Sequence, residues 1–301
     1  MGVVYRARHA LLRRPTAIKL LPVERAGATA IARFEREVQH TAALTHPNTI
    51  AIFDFGRTPD GVFYYAMEYV DGFDLDHVVS HTGLLPPARV VHLLRQIAAA
   101  LAEAHASGLV HRDIKPANLM LCQRPFEPDF VKVLDFGLAR EVDRADHRAE
   151  PESRGIAGTP LFLAPESAAH GIADARSDIY ALGAVAWFLL FGVPVFSGTT
   201  LVQVCAQHLH ATPTPPTNAP PLPASLEQLL RDCLAKTPDA RPADASAFST
   251  RLDALVDIPT WTSADAKAWW QEWGTRLPRP AHHAPTNAGA SIAIDLLGRT
   301  A

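Results

Sequence analysis

The sequence runs to 301 residues, 48% hydrophobic and 20% charged, enough apolar material for one two-lobed domain or two smaller ones. A formal net charge of −3 gives no basis for nucleic-acid or anionic-membrane binding, so neither is expected as a partner. Three widely separated cysteines, Cys122, Cys205 and Cys233, match no metal-ligand spacing and suit a reduced, cytoplasmic protein.

From the N-terminus the chain enters a strand pattern directly, without the basic and then apolar order of a secretory leader. Residues 3–7 and 16–21 are β-branched or apolar runs parted by a basic turn, which predicts a hairpin. Residues 28–44 predict a helix, with Ile31, Phe34, Val38 and Thr41 near one face. Strand character returns at 49–55 and 62–68, with Asp60-Gly61 as the turn between them. Beyond Gly72 the texture becomes helical. Pro86 and Pro87 open a helix whose apolar face carries Val90, Leu94, Ile97 and Leu101 and which Gly108 closes. Short strands are expected at 119–122 and 131–134, and helices at 174–191, 200–209, 224–234 and 243–256. The apolar run 181–196 is too short for a membrane span and contains Gly183, Gly192 and Pro194, so it predicts a helix buried on all sides. Six prolines between 212 and 223 predict an extended surface loop. The expected architecture is α+β and bilobal, with a small β-rich lobe over 1–70 and a large helical lobe over 71–256. A separate extension covers 257–277, where Trp261, Trp269, Trp270 and Trp273 surround a helix capped by Thr262 or Ser263. Those tryptophans must dock on something, either the large lobe or a partner. The Pro/His/Asn-rich remainder, 278–301, is expected to be disordered.

The strongest chemical signal is His111-Arg112-Asp113-Ile114-Lys115-Pro116-Ala117-Asn118. Phosphoryl transfer to a hydroxyl needs a carboxylate to orient that hydroxyl and accept its proton, with cations and metal ligands around the phosphates. Asp113 fits the first role, Lys115 can reach the transferring phosphate, and Asn118 offers an amide oxygen to magnesium. Asp135-Phe136-Gly137 follows an apolar strand, and a carboxylate released there by a glycine suits Mg²⁺ bridging two phosphates.

With Ala17-Ile18-Lys19 and Glu37 before these loops, and Ala164-Pro165-Glu166, Asp178 and Arg241-Pro242 after them, the chain resembles the eukaryotic-like protein kinases. Its style is similar to the bacterial serine/threonine kinases. The resemblance implies the protein kinase fold, the cofactors ATP and Mg²⁺, and a protein serine or threonine as substrate. It also implies roles. Lys19 holds phosphates and pairs with Glu37, and Met67 is the gatekeeper. Glu68 and Val70 meet adenine through the backbone, Met120 packs beneath the adenine ring, and Ala17 belongs to the same nucleotide site. Asp74 bonds the ribose, and Asn118 and Asp135 bind the metal. Thr159 contacts Asp113, His111 buttresses the loop, Asp178 caps its amides, and Glu166 pairs with Arg241. Gly2 takes the place of the third glycine of the phosphate-covering loop and Val4 that of the valine over adenine. The first strand and first two glycines have no counterpart, as an internal start or a truncated product would explain. Strand 3–7 should then be an exposed edge, and the chain as written a less stable, aggregation-prone and weak kinase. Ser153 is the only hydroxyl side chain between Gly137 and Gly158, either an autophosphorylation site or a solvated serine. The alternative functions are a scaffold with little ATP turnover acting through the tryptophan-rich segment, and a small-molecule kinase, against which the Gly158-Thr159 and Ala164-Pro165-Glu166 segments speak.

Overall fold

A computed structural model describes residues 3–21, 35–36, 38–58, 62–136 and 160–279. Four antiparallel strands form the small lobe: β1 (Val3–Arg8), β2 (Pro15–Leu21), β3 (Ile52–Arg57) and β4 (Phe63–Glu68), in the order β1-β2-β4-β3. The register sets Val4 opposite Lys19, Lys19 opposite Tyr65, and Ala17 opposite Met67. Side chains opposite one another, or two apart along a strand, share a face. Val4, Ala17, Lys19, Tyr65 and Met67 therefore all lie on one face of the sheet. That face carries a small core in which Ala17, Tyr65 and Met67 pack with Val38 and Ile50. Val38 belongs to helical residues 35–36 and 38–42, part of the predicted 28–44 helix. β1 is an edge strand, with Val3, Val4 and Tyr5 each 51% exposed.

The large lobe begins with β5 (Gly72–Asp74), which pairs with β6 (Leu119–Cys122), and β6 in turn with β7 (Phe130–Val133). Sequence periodicity missed β5 because three residues are too few to show a pattern. Gly72 is required there, since a Cβ would stand 2.3 Å from the Leu121 carbonyl oxygen. The helices are α1 (Leu75–Thr82), α2 (Pro87–Ala106), α3 (Pro165–His170), α4 (Ala175–Phe191), α5 (Leu201–His210), α6 (Ala224–Cys233), α7 (Ala245–Asp253) and α8 (Ser263–Trp273). Every residue of α4 from Ser177 onward is buried, as the unbroken apolar run predicted. Asp174 and Ser177 form a capping box at its start, and Gly192 ends it in the left-handed region at φ 70°. No described helix is long and apolar enough to cross a membrane. The two lobes are stitched together where Ile50 N–H donates to Val133 O (3.0 Å) and Val133 N–H to Asn48 O (2.7 Å).

The tryptophan-rich segment docks within the chain. Arg89, in the first turn of α2, and Asp129, before β7, are both fully buried and joined by two hydrogen bonds, Nε to Oδ2 at 2.7 Å and Nη2 to Oδ1 at 2.9 Å. A cation in the first turn of a helix is unfavourably placed against the helix dipole, so it calls for a carboxylate. Trp261 donates its indole N–H to Asp129 Oδ2 (2.9 Å) and Trp270 to Oδ1 (2.7 Å). The Trp269 ring lies 3.7 Å from the Arg89 guanidinium carbon. Four donors thus satisfy one buried carboxylate, and the segment becomes the lid of an ion pair that water would otherwise reach. Of the two alternatives for these side chains, the large lobe is the surface they occupy. Thr262 and Asp265 supply the helix cap as a capping box.

Replacing Trp270 with Phe keeps the ring but removes a donor from a buried charge. Unfolding free energy should fall by about 1.5–3 kcal/mol, read by urea denaturation. An unchanged midpoint would show that the Asp129 oxygen finds another donor.

Candidate active site

The site forms where β2 and β4 of the small lobe face the segment between α2 and β7. Its framework is Asp178, buried in the first turn of α4. The carboxylate accepts the backbone N–H of His111 on Oδ2 (2.7 Å) and that of Arg112 on Oδ1 (2.8 Å), with His105 Nε2 at 3.1 Å from Oδ2. Arg112 is held in the left-handed region at φ 66°, a conformation costing about 1–3 kcal/mol for such a residue unless its surroundings impose it. His111 is fully buried and its Nε2 lies 2.8 Å from the Leu134 carbonyl oxygen. Its Nδ1 accepts from Asp113 N–H at 3.3 Å, which makes Nε2 the protonated nitrogen. Burial holds its pKa below the ordinary value, so the ring is neutral near pH 7. His111 is a strut between two loops, and its ring packs 4.6 Å from that of Phe136.

On that frame the Asp113 carboxylate is fixed from two sides. Lys115 Nζ donates to Oδ2 at 2.7 Å, and Asn118 Nδ2 donates to the same oxygen at 2.9 Å and to the Asp113 carbonyl at 2.8 Å. With Nδ2 so committed, Oδ1 is the acceptor that the Asn118 amide can offer a cation. Asp135 stands in the left-handed region at φ 53° and meets the small lobe directly: Lys19 Nζ lies 2.6 Å from Oδ2, and Tyr65 donates its hydroxyl to Oδ1 at 2.6 Å. Burial pushes the Asp135 carboxyl upward, but the charge and hydrogen bond of Lys19 and the hydrogen bond of Tyr65 more than reverse this, leaving it below the usual range. Asp135 is therefore an anion. A carboxylate and an amide oxygen are hard donors, the set that suits Mg²⁺ completed by phosphate oxygens, so these residues fit the metal.

The remaining sequence-derived positions are spread over β4, the link after it, β5 and β6. Met67 is buried, and Val70 packs on the small-lobe core. Glu68 spends its carboxylate on Lys132 (2.6 Å) and its N–H on Ala51 O (2.9 Å). Asp74 caps α1, its Oδ1 accepting from His77 N–H at 2.8 Å, and sits opposite Met120 across β5 and β6. Met120 is half-buried, between fully buried Leu119 and Leu121 on the opposite face of β6. Gly2, Glu37, Gly137, Ser153, Gly158 and Thr159 lie outside the described residues. Sequence reasoning missed Tyr65, although its spacing of two from Met67 on a strand places it on the cleft face.

Beside Asp113 opens a groove of about 330 Å³, lined by Asp76, Lys115, Leu161, Phe162 and Ser167 among others. Its wall is tied down by Glu166, which makes a bidentate pair with Arg241 (2.8 and 2.9 Å) and accepts from Ser177 Oγ at 2.6 Å.

The protein kinase domain family matches residues 1–252. The chain belongs to that family. It is 40% identical over 264 residues to the serine/threonine-protein kinase pkn3 of Myxococcus xanthus, covering 85% of this chain and 48% of the relative. It is 38% identical over 263 residues to PknB of Mycobacterium tuberculosis, covering 86% and 40%. PrkC of Bacillus subtilis is 36% identical over 267 residues, covering 88% and 39%. This kinase-family chain thus spans less than half the length of these curated relatives.

The Glu166–Arg241 pair predicts a pH dependence. Burial raises the Glu166 carboxyl, and the hydrogen bonds from Arg241 and Ser177 outweigh it, so the folded pKa is depressed. A depressed carboxylate contributes stability above its unfolded value, about 4.3, and loses it as pH falls through the folded value. Glu166→Gln should cost about 3–5 kcal/mol at pH 7 by leaving Arg241 buried and unpaired. The gap from the parent should narrow below about pH 4. Thermal melts across pH 3–7 measure it, and a pH-independent gap would refute the account.

Proposed function

We propose that this chain transfers the γ-phosphoryl group of Mg·ATP to serine or threonine hydroxyls of proteins. The observation that carries the reading is the pair of fixed carboxylates: Asp113, held by Lys115 and Asn118, and Asp135, held from the opposite lobe by Lys19 and Tyr65. The three relatives are serine/threonine-protein kinases by name, which supports the choice of serine and threonine. Asp113 orients the acceptor hydroxyl in the groove and takes its proton as the oxygen bonds to the γ-phosphorus. The bond from that phosphorus to the β,γ-bridging oxygen breaks, and ADP leaves with its electron pair. Lys115, anchored on Asp113, reaches the moving group, and Lys19 turns to the phosphates behind it. When bound, Mg²⁺ neutralises charge that develops on the phosphate oxygens. Thr159 and Glu37 are assigned to Asp113 and Lys19 as the family pattern places them, and Gly2, Val4, Ala17, Met67, Glu68, Val70, Asp74 and Met120 to the nucleotide.

We infer too that the working unit runs past residue 256, because Trp261 and Trp270 complete a buried ion pair and Arg279 Nη1 reaches Asp71 Oδ1 at 3.1 Å beside β5. A cytoplasmic setting suits the free thiols, of which burial pushes Cys122 up to about 11 and Cys233 up to about 12. The scaffold alternative loses its docking surface once the tryptophans are spent on the large lobe.

Transfer of ³²P from Mg·ATP to protein serine and threonine is the test, read by phosphoamino-acid analysis. Asp113→Ala should reduce the rate by about 10²–10⁴-fold while leaving nucleotide binding in place. Undiminished transfer by that variant, or no transfer by the parent chain to any protein acceptor, would overturn the reading.

A further inference from the structure

Tyr65 occupies the middle of β4, the strand flanked by β2 and β3, and only 1% of its surface is exposed. Its hydroxyl reaches Asp135 Oδ1 at 2.6 Å, while Lys19 takes Oδ2 at the same distance from 5.9 Å above the Tyr65 ring centroid. The two donors differ in freedom. Lys19 ends a flexible four-carbon stem and, in the function proposed above, has to serve the nucleotide phosphates. Tyr65 is packed in the small-lobe core with Ala17, Val38 and Met67, and its hydroxyl cannot leave Asp135 without moving the ring out of that core. When the ammonium is drawn to phosphate, the phenol is the donor that stays.

A carboxylate that ligates a hard cation is oriented by hydrogen bonds from outside the coordination shell, and their loss loosens the metal. A phenol suits this duty, because it donates one hydrogen bond and adds no charge to compete with the cation. We propose that Tyr65 is a positioning residue that holds the Asp135 carboxylate in the orientation in which it receives Mg²⁺. The proposal rests on the kinase reading. It adds a small-lobe residue to metal binding: β4 carries both Met67 at the adenine end and, one side-chain step away on the same face, the group that orients the metal ligand.

The test is Tyr65→Phe in the full chain, read first by binding and not by turnover. Fluorescence anisotropy of a ribose-labelled ATP is followed as Mg²⁺ is titrated in, and the same Mg²⁺ series is then run in the ³²P assay. The variant should need about tenfold more Mg²⁺ for half-maximal nucleotide binding and for half-maximal rate. Nucleotide binding without Mg²⁺ should stay close to that of the parent. Tyr65→Met fills the same space without a donor and should give the same shift, so a poorly folded Phe variant does not decide the matter. Superimposable Mg²⁺ curves would overturn the proposal. Tighter Mg²⁺ binding by the variants would also overturn it, by showing that the phenol occupies an oxygen the metal needs. A parent chain that binds the nucleotide with no Mg²⁺ dependence would instead remove the kinase reading, and this inference with it.

Discussion

The site depends on one carboxylate that takes no part in the chemistry. Asp178 projects from a helix buried all round and takes two consecutive backbone N–H groups, those of His111 and Arg112. The helix cannot shift without disturbing the main core, so the loop inherits its rigidity. The constraint then passes along a short physical chain. The backbone of His111 is fixed, its ring therefore points one way, its Nε2 holds the Leu134 carbonyl, and Asp135 begins where that strand-end is pinned. Two residues in left-handed conformations, Arg112 and Asp135, stand at the two ends of this chain. Their strain is affordable because the same buried network imposes both.

Across the cleft the small lobe contributes through register alone. Val4, Ala17, Lys19, Tyr65 and Met67 come from three strands, yet the pairing turns all of them to one face. Slipping β2 by one residue would send Lys19 to the opposite side and leave Asp135 without its cation. The contact of Lys19 with Asp135 and the place of Met67 on the same face are thus set by the same hydrogen-bond ladder. The groove beside Asp113 is secured independently, by Glu166 and Arg241 beneath its wall.

Most of this was legible in the residues because it is written locally. The helix at 87–106 announces itself by its apolar period and opening prolines, that at 175–191 by an unbroken apolar run behind a capping Asp174, and the loop around Asp113 by chemistry that few other residue orders could serve. What escaped was short or long-range. β5, α1 and α3 are too brief for a periodic signal, and Tyr65 reads as an ordinary strand aromatic until Asp135 is brought to it from far along the chain. Arg89 and Asp129 read as ordinary surface charges, because nothing local to either one points to its partner 40 residues away. The density of tryptophans announced that something had to be covered, but not what.

That buried pair also bears on how such a protein can be assembled from parts. The match to the protein kinase domain ends at residue 252, yet Asp129, inside it, draws two of its four side-chain donors from Trp261 and Trp270, beyond it. The lid and the charge are therefore a matched set. A lineage that lost or exchanged α8 would have to neutralise Arg89 and Asp129 in the same step, and one that gained it gained the freedom to bury them. Residues 89 and 129 should thus vary together with the presence of this helix, making a seam between module and appendage that selection can only cut from both sides at once.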